Sequence, residues 1–254
     1  GIYDEPLGDD GAKRDRDISD KFISYLKARD PKKPYFSFIF YDATHGNYDY
    51  FPGFEKFKPS FGVSQLALNA GNVNGLRNKY KNSVYFDDNV VGSILKALKD
   101  AGGLKDTVVI VTGDHGEAFL ERGRYGHNQG YSPEEVKVPL VLYAPGLAPA
   151  RIKTLTDHLD IVPTIMPLAG VKNPAADYSS GRGLFEKEGH DFAASASWDS
   201  AGIITEKATL EMPLEAYKGG LKVFDAEYRE IPKGAAAFSP LILEFQKEAK
   251  RFYR

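Results

Sequence analysis

From Asp17 onward, apolar residues recur at helical spacing (Ile18, Phe22, Tyr25, Leu26), and Pro31 and Pro34 end the run. This pattern predicts an amphipathic helix covering a sheet. Residues 1–16 are charged and glycine-containing, a composition that predicts a solvated loop. Tyr35 to Tyr41 (YFSFIFY) is an aromatic run of strand length and predicts the first core strand. Leu76, Tyr80, Val84, Asp87, Val91, Ile94, Leu95 and Leu98 mark a long helix that stops at Gly102-Gly103. Val108 to Val111, four consecutive β-branched residues, predict a strand buried on both faces. A strand, a helix and a strand in this order predict a right-handed crossover between two parallel strands.

Val138 to Ala144 predicts a further strand, broken by Pro145-Gly146. LTDHLDIVPTIMPLAG then opens a helix with Asp160 as N-cap, Pro163 in the first turn and Gly170 at the end. Beyond Ala175 short runs separated by turn residues (Ala193 to Trp198, Gly202 to Thr205, Ala208 to Leu210, Leu221 to Phe224) predict an antiparallel meander. A last helix is expected over Ser239 to Tyr253. The fold expected is therefore α/β: a largely parallel sheet flanked by helices over 17–175, with a small antiparallel sheet and terminal helix over 176–254.

Composition narrows the function classes. With 254 residues and 42% hydrophobic content the chain can bury a sizeable core. A net charge of −2 with both signs interspersed leaves no basic footprint, so no nucleic-acid partner is expected. There is no cysteine, which leaves His, Asp and Glu as the good metal ligands. No apolar run approaches the ~18 residues a membrane span needs.

The chemistry is expected where predicted strands end. Val108 to Val111 runs into Thr112-Gly113-Asp114-His115-Gly116, and Tyr35 to Tyr41 runs into Asp42-Ala43-Thr44-His45-Gly46. In open α/β sheets ligands collect at the carboxyl ends of strands. Asp114 and His115 flanked by glycines suit Zn²⁺, Mn²⁺ or Mg²⁺. The bland alternative is that Asp114 caps a helix and His115 packs. Tyr48, Tyr50, Phe51, Phe54 and Phe57 either tack down a loop or form a pocket wall. Asp87 and Asp88 read as solvated helix-flank charges. His158 reads as a packed histidine, and Arg122 and Arg124 either neutralise phosphate or stay solvated.

VIVTGDHGE, GHN, VKVPLVLYAPG and HLDIVPT occur in this order, and together they resemble the sulfatase-like branch of the alkaline phosphatase superfamily. HGNYDYFPGFEKFKP is similar to a segment of phosphoethanolamine transferases. The tail, ADYSSGRGLF and the meander, resembles membrane-anchored inner-membrane proteins of the YejM type, themselves similar to lipoteichoic acid synthases. The resemblance implies Asp114 and His115 as ligands of a divalent metal (Zn, Mn or Mg), and His45 and His127 as groups contacting the substrate phosphate. It implies a Thr or Ser nucleophile upstream of Gly1, with the N-terminal part of the family domain absent, and gives neither Thr44 nor Thr112 that role. The function it implies is that of a metal-dependent hydrolase or phosphotransferase acting on a phosphate or sulfate ester, with a lipid head group as the expected substrate. The location it implies is the periplasmic face of a bacterial inner membrane, anchored by an upstream segment. The alternative is a non-catalytic domain that regulates lipopolysaccharide and outer-membrane lipid through lipopolysaccharide and membrane-protein partners.

Overall fold

The computed structural model describes residues 2–215, 219–232 and 234–252. The chain divides into two compact units, one of residues 1–109, 119–125 and 143–145, the other of residues 110–118, 126–142 and 146–254.

The first unit is built on two helices, α1 (Gly11–Ala28) and α2 (Val73–Asp100). Helix α1 starts six residues before the expected point. Asp10 is its N-cap, its side chain accepting from the Lys13 N–H at 2.9 Å. Residues 11–16 of the charged stretch read as a loop are thus the first turns of a helix, because a good cap outweighs a polar composition. The buried face of α1 carries Gly11, Ala12, Asp15 and Ser19, while Tyr25 is exposed. Ala12, Ala43, Phe86 and Val90 form one core cluster, with Tyr41, Tyr50, Phe51 and Phe54 packed against it. Tyr48, Val73, Leu76 and Phe119 form a second. The aromatic loop after His45 is therefore core-forming: Phe51 and Phe54 set their ring edges against Phe86, with centroids 5.4 and 5.2 Å away.

The expected first strand is not present as a strand among the described residues. Residues 35–41 pair with no neighbour, and Phe36, Phe38 and Phe40 are exposed. Aromatic composition favours a pleated surface only where a second strand takes up the N–H and C=O groups. With that strand unpaired, the expected crossover through α2 and the largely parallel sheet are not formed among the described residues, whose strands make two two-stranded sheets and one four-stranded antiparallel sheet. The strand ending in the DHG motif does form, as β1 (Val109–Thr112), and pairs with β4 (Leu140–Tyr143), but it is not buried on both faces, for Val111 is exposed. Between them, β2 (Ala118–Phe119) pairs with β3 (Tyr125–Gly126), and a one-turn helix α3 (Pro133–Val136) follows.

In the second unit α4 (Ile161–Leu168) follows a 3-10 turn at His158–Asp160. Asp160 stands at the N-cap position of α4, as expected, but its side chain makes no capping bond there; the capping side chain is that of Asp157, at the start of the 3-10 turn. Asp157 accepts from the Leu159 N–H, and Asp160 accepts back from the Asp157 N–H at 3.0 Å, completing a capping box. The meander forms as expected: β5 (Ala193–Ala196), β6 (Ser200–Ile204), β7 (Ala208–Pro213) and β8 (Lys222–Asp225), antiparallel in that order. Ile203, Leu210 and Val223 on its inner face take Leu241, Ile242 and Phe245 of α5 (Ser239–Lys250). The expected end of that last helix, Tyr253, lies outside the described residues. No described helix is long and apolar enough to cross a membrane.

Candidate functional site

Strand β1 ends at Thr112 and the chain turns through Gly113, Asp114, His115 and Gly116. Asp114 folds its side chain back, Oδ1 accepting from the His115 N–H at 2.9 Å. This turn lies against the start of α3. The Gly116 N–H donates to the Glu135 carbonyl at 2.7 Å, and a Cβ on Gly116 would stand 2.1 Å from the Glu134 carbonyl oxygen. Only glycine lets the two backbones come this close.

The hydrogen bonds decide the tautomers. His115 Nδ1 lies 2.9 Å from the Gly116 carbonyl oxygen, which can only accept, so Nδ1 carries the proton. The lone pair is then on Nε2, 3.7 Å from Asp114 Oδ2. His127 Nδ1 lies 3.0 Å from Glu117 Oε2, and the Glu117 side chain is buried to 8% exposure. A carboxylate there accepts the Nδ1 proton and leaves Nε2 as the atom that meets a ligand. The two imidazoles face each other with ring centroids 4.1 Å apart and 35° between planes.

His115, Glu117 and His127 each bring a ligand atom within 4.8 Å of the others. Two imidazoles and a carboxylate, with Asp114 beside His115, are a donor set of the kind that takes a zinc- or manganese-type cation. Glu117 is the residue that sequence reasoning missed. Its signal was in the motif, as the first carboxylate after His115, and only the hairpin of β2 and β3 returns His127 to it.

His45 belongs to the first unit, in the turn after Tyr41. It is exposed, and its Nδ1 is 3.9 Å from Asp42 Oδ1. Arg14 binds Asp42 through Nε (3.1 Å) and Nη2. Arg122 and Arg124 lie in the turn that closes the β2–β3 hairpin. Two readings change. His158 is exposed and does not pack: its Nε2 lies 3.4 Å from the Thr112 hydroxyl at the end of β1. The capping box turns Asp157 and Asp160 inward and so turns His158 out. Asp87 is not a solvated flank charge, because its carboxyl is buried against Asp15.

A second polar cluster holds the start of α4. Asp160, 1% exposed, accepts from His190 Nε2 at 2.6 Å and from the Arg182 N–H at 2.8 Å, besides the Asp157 N–H. Asp157, raised above the usual carboxylate range by burial and by the neighbouring Asp160 charge, completes the group.

The sequence pattern of the Sulfatase family matches residues 3–171. The chain belongs to that family. It is 30% identical over 197 residues to the inner membrane protein YejM of Salmonella typhimurium, covering 74% of this chain and 32% of that protein. A choline-sulfatase of Rhizobium meliloti is 33% identical over 100 residues, 39% of this chain and 19% of the relative. The chain spans about a third of the length of the YejM relatives it matches. Among solved structures, a phosphonate monoester hydrolase of Agrobacterium radiobacter superposes with a TM-score of 0.71 at 18% identity, covering 98% of this chain and 62% of that one. A Bacteroides thetaiotaomicron protein described as a putative sulfatase gives 0.69 at 18% identity, over 99% and 66%. These superpositions establish an alkaline phosphatase-like fold.

Proposed function

We propose that this chain is the C-terminal portion of one sulfatase-like domain, and that it supplies half of the active site of a metal-dependent hydrolase or phosphotransferase acting on a phosphate or sulfate ester. The observation that carries this reading is the pair of imidazoles at the DHG turn, each with its Nδ1 proton assigned by a neighbouring oxygen. Each Nδ1 is engaged, which leaves Nε2 of His115 to meet a cation and Nε2 of His127 to meet the anion beside it. Asp114 and His115 hold the cation, and Glu117 orients His127. A bound divalent cation supplies Lewis-acid stabilisation of the ester oxygens.

His127, in the second unit, and His45, in the first, are each read as contacting a phosphate or sulfate oxygen. An imidazole donor strengthens as charge develops on the phosphoryl or sulfuryl oxygens. The nucleophile is expected outside these 254 residues. Thr112 is committed elsewhere, since its hydroxyl donates to the Pro139 carbonyl at 2.9 Å. The substrate is a lipid head group at the periplasmic face of an inner membrane, a reading supported by relatives described as inner membrane proteins.

Titration of the chain with Zn²⁺, Mn²⁺ and Mg²⁺, followed by calorimetry and elemental analysis, tests the ligand set. Asp114→Asn and His115→Ala lower the bound stoichiometry of a folded protein, and Glu117→Gln weakens affinity about 10–100-fold. Unchanged stoichiometry in all three variants defeats the reading. For the ester, a longer chain carrying the upstream segment is assayed on sulfate and phosphate monoesters, free and in vesicles.

A further inference from the structure

Helix α1 carries a fully buried aspartate whose surroundings have nothing to do with the metal ligands. Asp15 is 0% exposed. Its carboxylate accepts the Asp42 N–H at 2.8 and 3.0 Å and the Ala43 N–H at 2.6 Å. These are the first two peptides of the turn that presents His45. From there the turn is fastened outward: the His45 N–H donates to the Asp42 carbonyl at 3.0 Å, and the Asp49 N–H donates to the Ala43 carbonyl at 2.8 Å. It is also pressed onto α1, for a Cβ on Gly11 would stand 2.8 Å from Ala43 Cα. Ala43 is itself fully buried.

Beside Asp15 lies a second carboxyl group, Asp87 of α2, whose Oδ1 is buried with no hydrogen-bond partner. A buried carboxylate oxygen without a donor is costly, so the pair keeps a proton. Asp15 is already committed as an acceptor of backbone N–H groups, which assigns the proton to Asp87. We propose that Asp87 and Asp15 form a proton-sharing positioning pair that holds the Asp42-to-His45 turn and thereby places the His45 imidazole for its anion. This rests on the reading of His45 as a phosphate- or sulfate-contacting group.

The charges around the pair agree. From the turn, Asp42 adds a third negative charge, which Arg14 binds. Tyr41 faces the pair with its hydroxyl 2.8 Å from Ser19 Oγ, and Arg16 lies over the Phe51 and Phe86 rings beside it. Burial, and then repulsion between the acids, push Asp87 up to about 8, and burial pushes Asp15 up to about 6. The two protons belong to the pair and leave in two steps. Above the upper step both carboxyls are ionised beside Asp42, and the fastening of the turn weakens.

The test uses the chain with ¹³C-labelled aspartate side chains. One aspartate carboxyl titrates well above the ordinary range, near 8, and its signal is absent in Asp87→Asn, whose amide donates to Asp15 without titrating. The Ala43 amide, corrected for intrinsic exchange, loses protection roughly tenfold between pH 7 and 9, as expected for about one pH unit of excess ionisation. It stays protected in Asp87→Asn. With inorganic phosphate as the probe, the His45 ring resonances shift at pH 7 and shift less at pH 9, and Asp87→Asn removes that difference. If every aspartate titrates below about 5, or Ala43 protection is independent of pH, the pair is refuted whatever His45 does. If the aspartate titrates as stated while the His45 ring ignores phosphate at both pH values, the reading of His45 fails, and the positioning role falls with it. The wild-type titration alone decides the first point, so the test survives a variant that does not fold.

Discussion

Gly116→Ala is the substitution for which the structure gives the sharpest expectation. The added methyl would sit 2.1 Å from the Glu134 carbonyl oxygen and 3.0 Å from its carbon. Both atoms are backbone, so no side chain can swing away, and the DHG turn must separate from α3 by more than an ångström to restore ordinary contact. Overpacking of this kind costs about 1–3 kcal/mol. The move also breaks the 2.7 Å bond from the Gly116 N–H to the Glu135 carbonyl, which contributes about 1 kcal/mol. The sum is roughly 2–4 kcal/mol, a large part of the ~5–15 kcal/mol that holds a typical domain. The Gly116 carbonyl that fixes the His115 tautomer moves with it, so metal affinity falls on the order of 10–100-fold. Urea unfolding measures the first effect and calorimetric metal titration the second. Gly92→Ala is the control: Gly92 lies inside α2 with nothing within 4 Å of the added methyl, and the same chemical change stabilises by about 0.5–1 kcal/mol. A Gly116→Ala protein within about 0.5 kcal/mol of wild type and with unchanged metal affinity refutes the close-approach argument.

Asp160→Ala leaves the His190 imidazole and the N–H groups of Asp157 and Arg182 without their buried acceptor. The expected loss in urea unfolding is about 3–5 kcal/mol, and a change under about 1 kcal/mol speaks against the clamp. Leu210→Ala empties a fully buried position between the meander and α5, with an expected loss of about 2–5 kcal/mol by the same measurement. Asp157 has a raised folded pKa, so the folded state holds its proton more tightly than the unfolded chain. Its contribution is therefore fully present below the unfolded value near ~4 and is lost as pH rises through the folded value. Asp157→Asn flattens that fall in melting temperature, and an unchanged pH profile contradicts the assignment.

The elements legible in the sequence are those whose periodicity was reinforced by packing. Of the residues from which helix α2 was read, Leu76, Ile94 and Leu98 are buried, while Val84 is exposed. The meander was read from apolar runs between turn residues, and Ile203, Leu210 and Val223 now line one core. The start of α1 was hidden because its buried face uses Ala12, Asp15 and Ser19, and a buried aspartate looks like a solvated one in a list of residues. Asp87 was misread for the same reason. Residues 35–41 have strand composition, but pairing belongs to the neighbour as much as to the strand. Of the candidate site, the Asp114-His115 turn was legible because four β-branched residues stop at glycine. Glu117 was not, since its role depends on a hairpin that brings back His127, ten residues later.

The turns that carry His45, His127 and His158 share one physical device. Beneath the His45 turn, Asp15 accepts two backbone N–H groups. Beneath the His158 turn, Asp160 accepts from Asp157 and Arg182. Just after His127, Glu135 (3% exposed) accepts from the Gln129 N–H and the Ser132 hydroxyl, both at 2.9 Å. An imidazole meant to meet a ligand stays at the surface and gains little order from packing, so its turn needs another source of rigidity. A carboxylate buried under the turn supplies it, because ionised acceptors make the stronger hydrogen bonds and leave few alternative geometries. Each such carboxylate is also the point at which pH or a single Asp→Asn or Glu→Gln change acts on a histidine it does not touch.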